Sequence, residues 1–340
     1  MTNVKELEQR IQIDGLTARP INVPEDIPAM LKIFNTVNKA DKIDERENLE
    51  ALTNHYENLK NCDLSTDSLI LEVNGEMVCV GRTWWSKEAS ETGDIIVYSM
   101  YAKVHPDWRR KGIGSQVQTW LEERAKEISS EHDPKKTKMA NIWAQNTQLG
   151  NFALAKNFGF EEERYFFEMS RDLSKPISDA IMPKNLEVRP VVEEHYRPIW
   201  DALEEAFKDH WGFQETEEKD YQRWVNRIKT LPEYDPNLWK VAWEGDQVAG
   251  MVLNAVFEEE NQLLNKKKGW TDPICVRRAW RKKGLATALI NESMQMFKEM
   301  GMKESALGVD TKNLSGALNL YTNCGYESGY TWVVFRKALS

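Results

Sequence analysis

The chain has 340 residues, 41% of them hydrophobic and 29% charged, with 12 prolines. This composition excludes disordered and fibrous classes, and the length predicts two domains of roughly 170 residues each. The formal net charge is −9, with −7 over residues 1–180 and −2 over residues 181–340, which excludes a general nucleic-acid binder and leaves any basic patch to a local explanation. Cys62, Cys79, Cys275 and Cys324 lie in or beside apolar segments without C-x-x-C spacing, a pattern of a reducing cytoplasm rather than of zinc or disulfides. No window approaches the roughly 18 apolar residues of a membrane span, and the first residues lack a signal-peptide core.

In chain order, the first dozen residues read as a polar helical extension. "LTARPINVPEDIPAMLKIFNTV" is a short strand ending in Arg19-Pro20, then a helix with Ile27, Met30, Leu31 and Phe34 at helical spacing. "LILEVNGEMVCVG" alternates around the turn pair Asn74-Gly75, and "IIVYSMYAKV" is a further strand. "HPDWRRKGIG" follows, with His105 before Pro106 read as a turn residue, and opens an amphipathic helix along Ile113, Val117, Leu121, Ala125 and Ile128. A strand ("MANIWAQN"), a short helix ending in Gly159-Phe160 and a last strand ("RYFFEMSRDL") close the half.

After "SKPISDAIMPKN" the same order returns, Arg189 standing 170 residues after Arg19. The second copy has a hairpin at Glu244-Gly245, the strand "TDPICV", the basic turn "RRAWRKKGLA", a helix along Leu285, Leu289, Phe297 and Met300, the strand "ESALGVD" and a helix ending in Gly325-Tyr326. Such self-similarity is the signature of a duplicated domain. The expected division is 1–173, a linker at 174–185, and 186–340.

A glycine-bearing turn entering a helix presents unpaired N–H groups at the positive end of the helix dipole, an anion site. Gly112, Gly114 and Gly284 permit close backbone approach or positive φ, while Arg109, Arg110, Lys111, Arg281, Lys282 and Lys283 add charge, so the expected ligand carries phosphates. Neither copy completes G-x-x-x-x-G-K-[ST] or G-x-G-x-x-G.

With "RRKGIG" and "RKKGLA" in the same strand-turn-helix context, the sequence resembles the GNAT superfamily of acyl-CoA N-acyltransferases, whose signature is [Gln/Arg]-x-x-Gly-x-[Gly/Ala]. The resemblance implies an α/β fold of two tandem domains, each a central mixed, mostly antiparallel sheet flanked by helices. It implies acetyl-CoA as co-substrate and no metal. The pyrophosphate would lie on the loop Arg281, Lys282, Lys283, Gly284, Leu285, Ala286 and, in the first copy, on Arg109, Arg110, Lys111, Gly112, Ile113, Gly114. The strands carrying Val276 and Val104 would meet the pantetheine arm, Val276 supplying the oxyanion amide. The superfamily's later motif is met by Asn313, Ala317, Tyr321, Gly325 and Tyr326, which makes Tyr321 the expected general acid. In the first copy Ala155 stands at that place, so the first half is expected to bind acyl-CoA without catalysis.

For the base, Asp272 leads and the run Glu258, Glu259, Glu260 is second; a water relay is the other route. Residues 201–220 are acidic, and Asp209, His210 and Trp211 are either an ammonium site or a solvated helix with an anchoring Trp. The expectation is a cytoplasmic N-acetyltransferase acting on a small-molecule amine or peptide N-terminus, without nucleic-acid or membrane partners. A non-catalytic acyl-CoA sensor or scaffold is the alternative reading, and a nucleotide-phosphate binder a third.

Overall fold

The helical and alternating patterns of the first half become, in the computed structural model, α1 (Glu6–Arg10), β1 (Leu16–Arg19), α2 (Ile27–Ala40), α3 (Leu49–Glu57), α4 (Leu64–Asp67), β2 (Ser68–Val73), β3 (Glu76–Glu88), β4 (Ile95–Val104), α5 (Ile113–Ser130), β5 (Thr137–Gln145), α6 (Leu149–Asn157) and β6 (Glu161–Asp172). The second half gives β7 (Glu187–Arg189), α7 (Tyr196–Phe207), α8 (Glu218–Thr230), β8 (Lys240–Glu244), β9 (Gln247–Val252), α9 (Glu258–Leu264), β10 (Lys268–Trp270), β11 (Ile274–Val276), α10 (Leu285–Glu299), β12 (Glu304–Asp310), α11 (Ala317–Asn323) and β13 (Glu327–Ala338). The structure describes residues 3–89, 93–179, 181–313 and 316–339.

Two compact units result, Met1–Arg164 with Trp332–Ser340, and Tyr165–Thr331. The division differs from the expected cut at 173, because the closing strands are exchanged. Phe166–Asp172 of β6 pair antiparallel with β12, inside the second unit, and Trp332–Ala338 of β13 pair antiparallel with β5, inside the first. Both strands run from exposed at the start to buried toward the end without a clean alternation, so side-chain periodicity carries no information on the partner. The expected linker has no helix or strand among its described residues (residue 180 lies outside them), yet it is fastened to the second unit. Ile177 and Met182 pack on that core, and Asn291 donates to Ser178 O at 2.8 Å.

In the first unit the sheet runs β1-β2-β3-β4-β5-β13, antiparallel throughout except β4 with β5. α2 buries Ile27, Met30, Ile33, Phe34 and Val37 against Ile70 and Val80, each such side chain stabilising by about 1.5–3 kcal/mol. Asn74 and Gly75 take positive φ (51° and 82°), the mirror-image turn that matches strand twist. The first dozen residues are not a polar extension: Leu7 and Ile11 are buried, and Arg10 pairs with Glu123 of α5 at 2.7 Å. Three apolar positions in a short polar stretch are too few to register as an amphipathic pattern.

The second unit holds two sheets, β6-β12-β10 and β11-β9-β8-β7. Its core is Leu285, Leu289, Met294 and Phe297 of α10 with Ala242, Ala249, Val252, Leu307 and Val309. The hairpin turn falls on Gly245 and Asp246, with Gly245 at φ 57°.

Candidate active site

In the second unit the strand segment 268–276 changes neighbours midway. β10 pairs in parallel with β12 from Lys268↔Glu304 to Trp270↔Ala306, and Thr271 N–H still reaches Ala306 O at 2.8 Å. From Ile274 to Val276 the chain pairs only with β9. The bonds Leu253 N–H to Pro273 O and Arg277 N–H to Ala249 O fix the alternation of that antiparallel ladder. Ile274 and Val276 therefore turn their backbone N–H and C=O away from β9, into the gap that β12 has left. A cavity of about 430 Å³ opens there, lined by Ile274, Cys275, Val276, Arg281, Lys282, Gly284, Leu285, Ala286, Thr287, Asn313, Ala317, Leu320 and Tyr321.

The loop at one end of this cavity is wound for an anion. Lys282 (φ 61°) and Gly284 (φ 86°) take positive φ, after Arg281 in the extended region (φ −65°, ψ 157°), so the chain doubles back tightly into the helix. The first helical bond of α10 runs from Ala288 N–H to Gly284 O, so the amides of residues 285–287 point out of the helix end. A Cβ at Gly284 would meet nothing within 4 Å, so the approach is open and glycine is needed for its φ alone.

Arg281 faces inward. Its Nε donates to Val276 O at 2.9 Å, Nη2 to Ala206 O at 3.2 Å, and Nη1 lies 3.5 Å from Asp209. One guanidinium thus ties the loop, the end of β11 and the end of α7 together, while still forming part of the cavity wall.

Tyr321 lines the same cavity, and Asp272, outside its lining, acts on the Tyr321 phenol through its charge. Tyr321 is 7% exposed, and burial first, then the Asp272 charge, raise its phenol well above the ordinary value. Asp272 keeps an exposed surface, but enough protein surrounds it that lost solvation pushes its carboxyl up to about 6, against one opposing hydrogen bond from Gly308 N–H. The segment bearing it is pinned by Thr271, whose Oγ1 lies 2.9 Å from Tyr326 Oη, itself 2.7 Å from Ser305 Oγ. These buried hydrogen bonds hold Asp272 beside β12.

The first unit repeats the geometry. β4 pairs with β5 only from Ile95↔Thr137 to Met100↔Ile142, while its ladder with β3 runs on to Val104↔Cys79. Arg110 (φ 62°) and Gly112 (φ 84°) match Lys282 and Gly284. Arg109 donates to Val104 O at 3.2 Å and grips Asp41 at 2.5 and 3.0 Å. A cavity of about 400 Å³ is lined by Lys103, Val104, Arg109, Arg110, Gly112, Gly114, Ser115, Gln118, Asn151 and Leu154, among others. Phe160 N–H to Ala155 O and Tyr326 N–H to Tyr321 O, both 3.0 Å, close the two short helices identically, so Ala155 occupies the place of Tyr321.

Not every expected residue reaches these cavities. The Ile113 side chain is buried in the core, leaving only its backbone for a ligand. Lys111 and Lys283 are exposed outside the walls, and Lys111 lies over the Trp108 ring at 4.1 Å. Glu260 stands 3.8 Å from the buried Lys268, which accounts for one member of the glutamate run structurally. Of the trio 209–211, Asp209 is engaged by Arg278 and Arg281, Trp211 lies 6.1 Å from Phe166, and His210 alone lines the cavity. His105 caps the short turn Pro106–Trp108. Cys275 and Lys103 line their cavities without having been anticipated; each directly precedes the valine that accepts from the motif arginine, which is the signal that finds them. Among the described residues no helix is long and apolar enough to cross a membrane, and no group of three or more His, Cys, Asp or Glu is placed to hold a metal.

The profile of the family described as "Acetyltransferase (GNAT) family" matches residues 197–326. Mycothiol acetyltransferase of Geodermatophilus obscurus is 23% identical over 243 residues, covering 69% of this chain and 72% of its own. A GCN5-related N-acetyltransferase from Sphaerobacter thermophilus superposes with TM-score 0.71 at 24% identity, over 96% of each chain. A tandem GNAT protein from the clavulanic acid biosynthesis pathway does so with TM-score 0.66 at 12% identity, over 96% of this chain and 99% of its own. Residues 197–326 thus match the acetyltransferase (GNAT) family, and over nearly its whole length the chain shares the fold of these solved structures, one of them a tandem GNAT protein.

Proposed function

We propose that the second unit transfers the acetyl group of acetyl-CoA to a primary amine by direct attack, with Asp272 as base and Tyr321 as acid. The observation that carries this reading is the Asp272 charge acting on the phenol of Tyr321, which lines the splayed cleft that ends on the loop 281–287. The pyrophosphate lies on the amides of that loop, with the charge of Lys282 beside it, and Arg281 holds the loop in place. Asn313 lines the same wall.

The amine nitrogen attacks the thioester carbon, and Val276 N–H, turned into the gap, donates to the developing oxyanion. Asp272 takes the proton lost by the nitrogen. A carboxyl near 6 is mostly ionised at neutral pH and a stronger base than an ordinary aspartate. As the C–S bond breaks, the thiolate takes the Tyr321 proton, and the Asp272 proton restores the phenol. Protonating Asp272 removes the charge that makes Tyr321 a poor acid, so the phenol strengthens when the thiolate leaves.

The first unit, with a cradle but Ala155 in place of a phenol, binds acyl-CoA without turning over external amines. Relatives named mycothiol acetyltransferase support a small-molecule amine as acceptor. The test is acetyl-CoA turnover against small amines, thiol-sugar conjugates and peptide N-termini. Turnover confined to small amines supports the reading, and donor hydrolysis with no amine dependence overturns it.

A further inference from the structure

In the first unit, the residue before Val104 is Lys103, where the second unit has Cys275 before Val276. Cys275 stands close enough to Tyr321 to act on its phenol, so its place is the thioester end of the cleft. Lys103 is 8% exposed and lines the same cavity as Arg110, Gly112 and Ser115. Its ammonium donates to Asn38 Oδ1 and lies 5.0 Å from the Phe34 ring and 5.8 Å from the Tyr101 ring.

The chain itself fills the space beyond. The segment after α2 folds back and is fastened by Asn35, which bonds Glu47 N–H and O at 2.9 and 3.0 Å, and by Asn38, which donates to Glu45 O at 3.2 Å. Asp41, Glu45, Glu47 and Arg46 are the charged groups that act on Lys103 from this segment. Lys103 thus brings an amine of the chain's own to the wall of this cavity, its Nζ held at Asn38 beside the lining.

We propose that Lys103 is a self-acylation site, its Nζ accepting the acyl group of an acyl-CoA thioester held on the 109–115 loop. The inference rests on the reading of the first unit as an acyl-CoA-binding copy. Neutral Nζ attacks the thioester carbon, the C–N bond forms, the C–S bond breaks, and the nitrogen's surplus proton leaves with the thiolate as the free thiol. A single event needs no acid that turns over, in keeping with Ala155. Burial lowers the Lys103 pKa to about 8, so a useful fraction of the amine is neutral near physiological pH, and that fraction grows as pH rises. Acylation removes the buried charge.

The test incubates the full chain with isotope-labelled acetyl-CoA and follows each lysine by peptide mass spectrometry. Held beside the thioester, Lys103 should be labelled at least about tenfold faster than exposed lysines such as Lys60. The label should vanish in Lys103→Arg, fall about tenfold or more in Ser115→Glu, which sets a carboxylate on an exposed position of the cradle, and persist in Tyr321→Phe. Labelling of Lys103 no faster than exposed lysines, labelling indifferent to Ser115→Glu, or labelling lost with Tyr321→Phe each overturns the proposal. Calorimetry on the same protein separates the failures. Two acyl-CoA sites with Lys103 unlabelled overturn self-acylation alone, and one site with Lys103 unlabelled overturns the binding reading with it.

Discussion

The Asp272 carboxylate acts directly on the Tyr321 phenol: after burial, it is the largest influence raising the proton affinity of that hydroxyl. The two groups belong to separate elements, the segment between β10 and β11, where the strand changes neighbours, and the short helix α11.

With the Asp272 carboxyl near 6, kcat/KM should rise from pH 5 to pH 7 with a midpoint of about 6. Asp272→Asn should abolish that limb and lower kcat by roughly 10²- to 10⁴-fold, a general base's usual worth. Stability moves oppositely. A folded-state pKa above the unfolded one favours the protonated form, so this contribution is fully present below about pH 4 and lost as pH rises through about 6. Asp272→Asn should therefore raise Tm at pH 8 relative to wild type. An unchanged pH profile in the variant would remove Asp272 from the chemistry.

Arg281 holds three partners, Val276 at the end of β11 and Ala206 and Asp209 at and just beyond the end of α7. Arg281→Ala frees the loop and forfeits a charge-assisted contact of about 1.5–3 kcal/mol, so the donor KM should rise roughly tenfold or more. Arg281→Lys should not restore it, because an ammonium cannot span the planar fork's partners. Steady-state kinetics with varied acetyl-CoA checks both, and a donor KM unmoved by either change would detach the brace from coenzyme binding.

Gly250 keeps β9 close to β11: a Cβ there would lie 2.9 Å from Cys275 O, 3.0 Å from Val276 Cγ2 and 3.1 Å from Leu285 Cδ2. Because one of these is backbone, the strand must move. Gly250→Ala should cost about 1–3 kcal/mol by overpacking and should also lower kcat, since it displaces the Val276 amide. Chemical denaturation and kinetics on the same variant check the pair, and a destabilised variant with intact kcat would show that the amide's position is not critical.

Much of this was legible in the sequence because it repeats. The basic turns, the glycines needing positive φ and the contrast of Tyr321 with Ala155 are local signals, and each lies at its expected place in its unit. What stayed hidden depends on partners far along the chain. The exchange of β6 and β13 between units, the engagement of Asp209 by Arg278 and the ion pair of Lys268 with Glu260 involve residues whose own neighbours look like solvated strands or charge runs. Lys103 is hidden for the same reason: its place at the cavity depends on β4 leaving β5 after Met100 while staying on β3 to Val104.

The most direct measurement is the turnover of Tyr321→Phe. The change deletes one hydroxyl and keeps the ring, so core packing and acetyl-CoA binding should survive. With thiolate departure limiting, kcat should fall by about 10²- to 10⁴-fold at an unchanged donor KM. Full kcat in this variant across the pH range, with the protein folded and the donor bound, would contradict the assignment of the second unit's phenol as the acid.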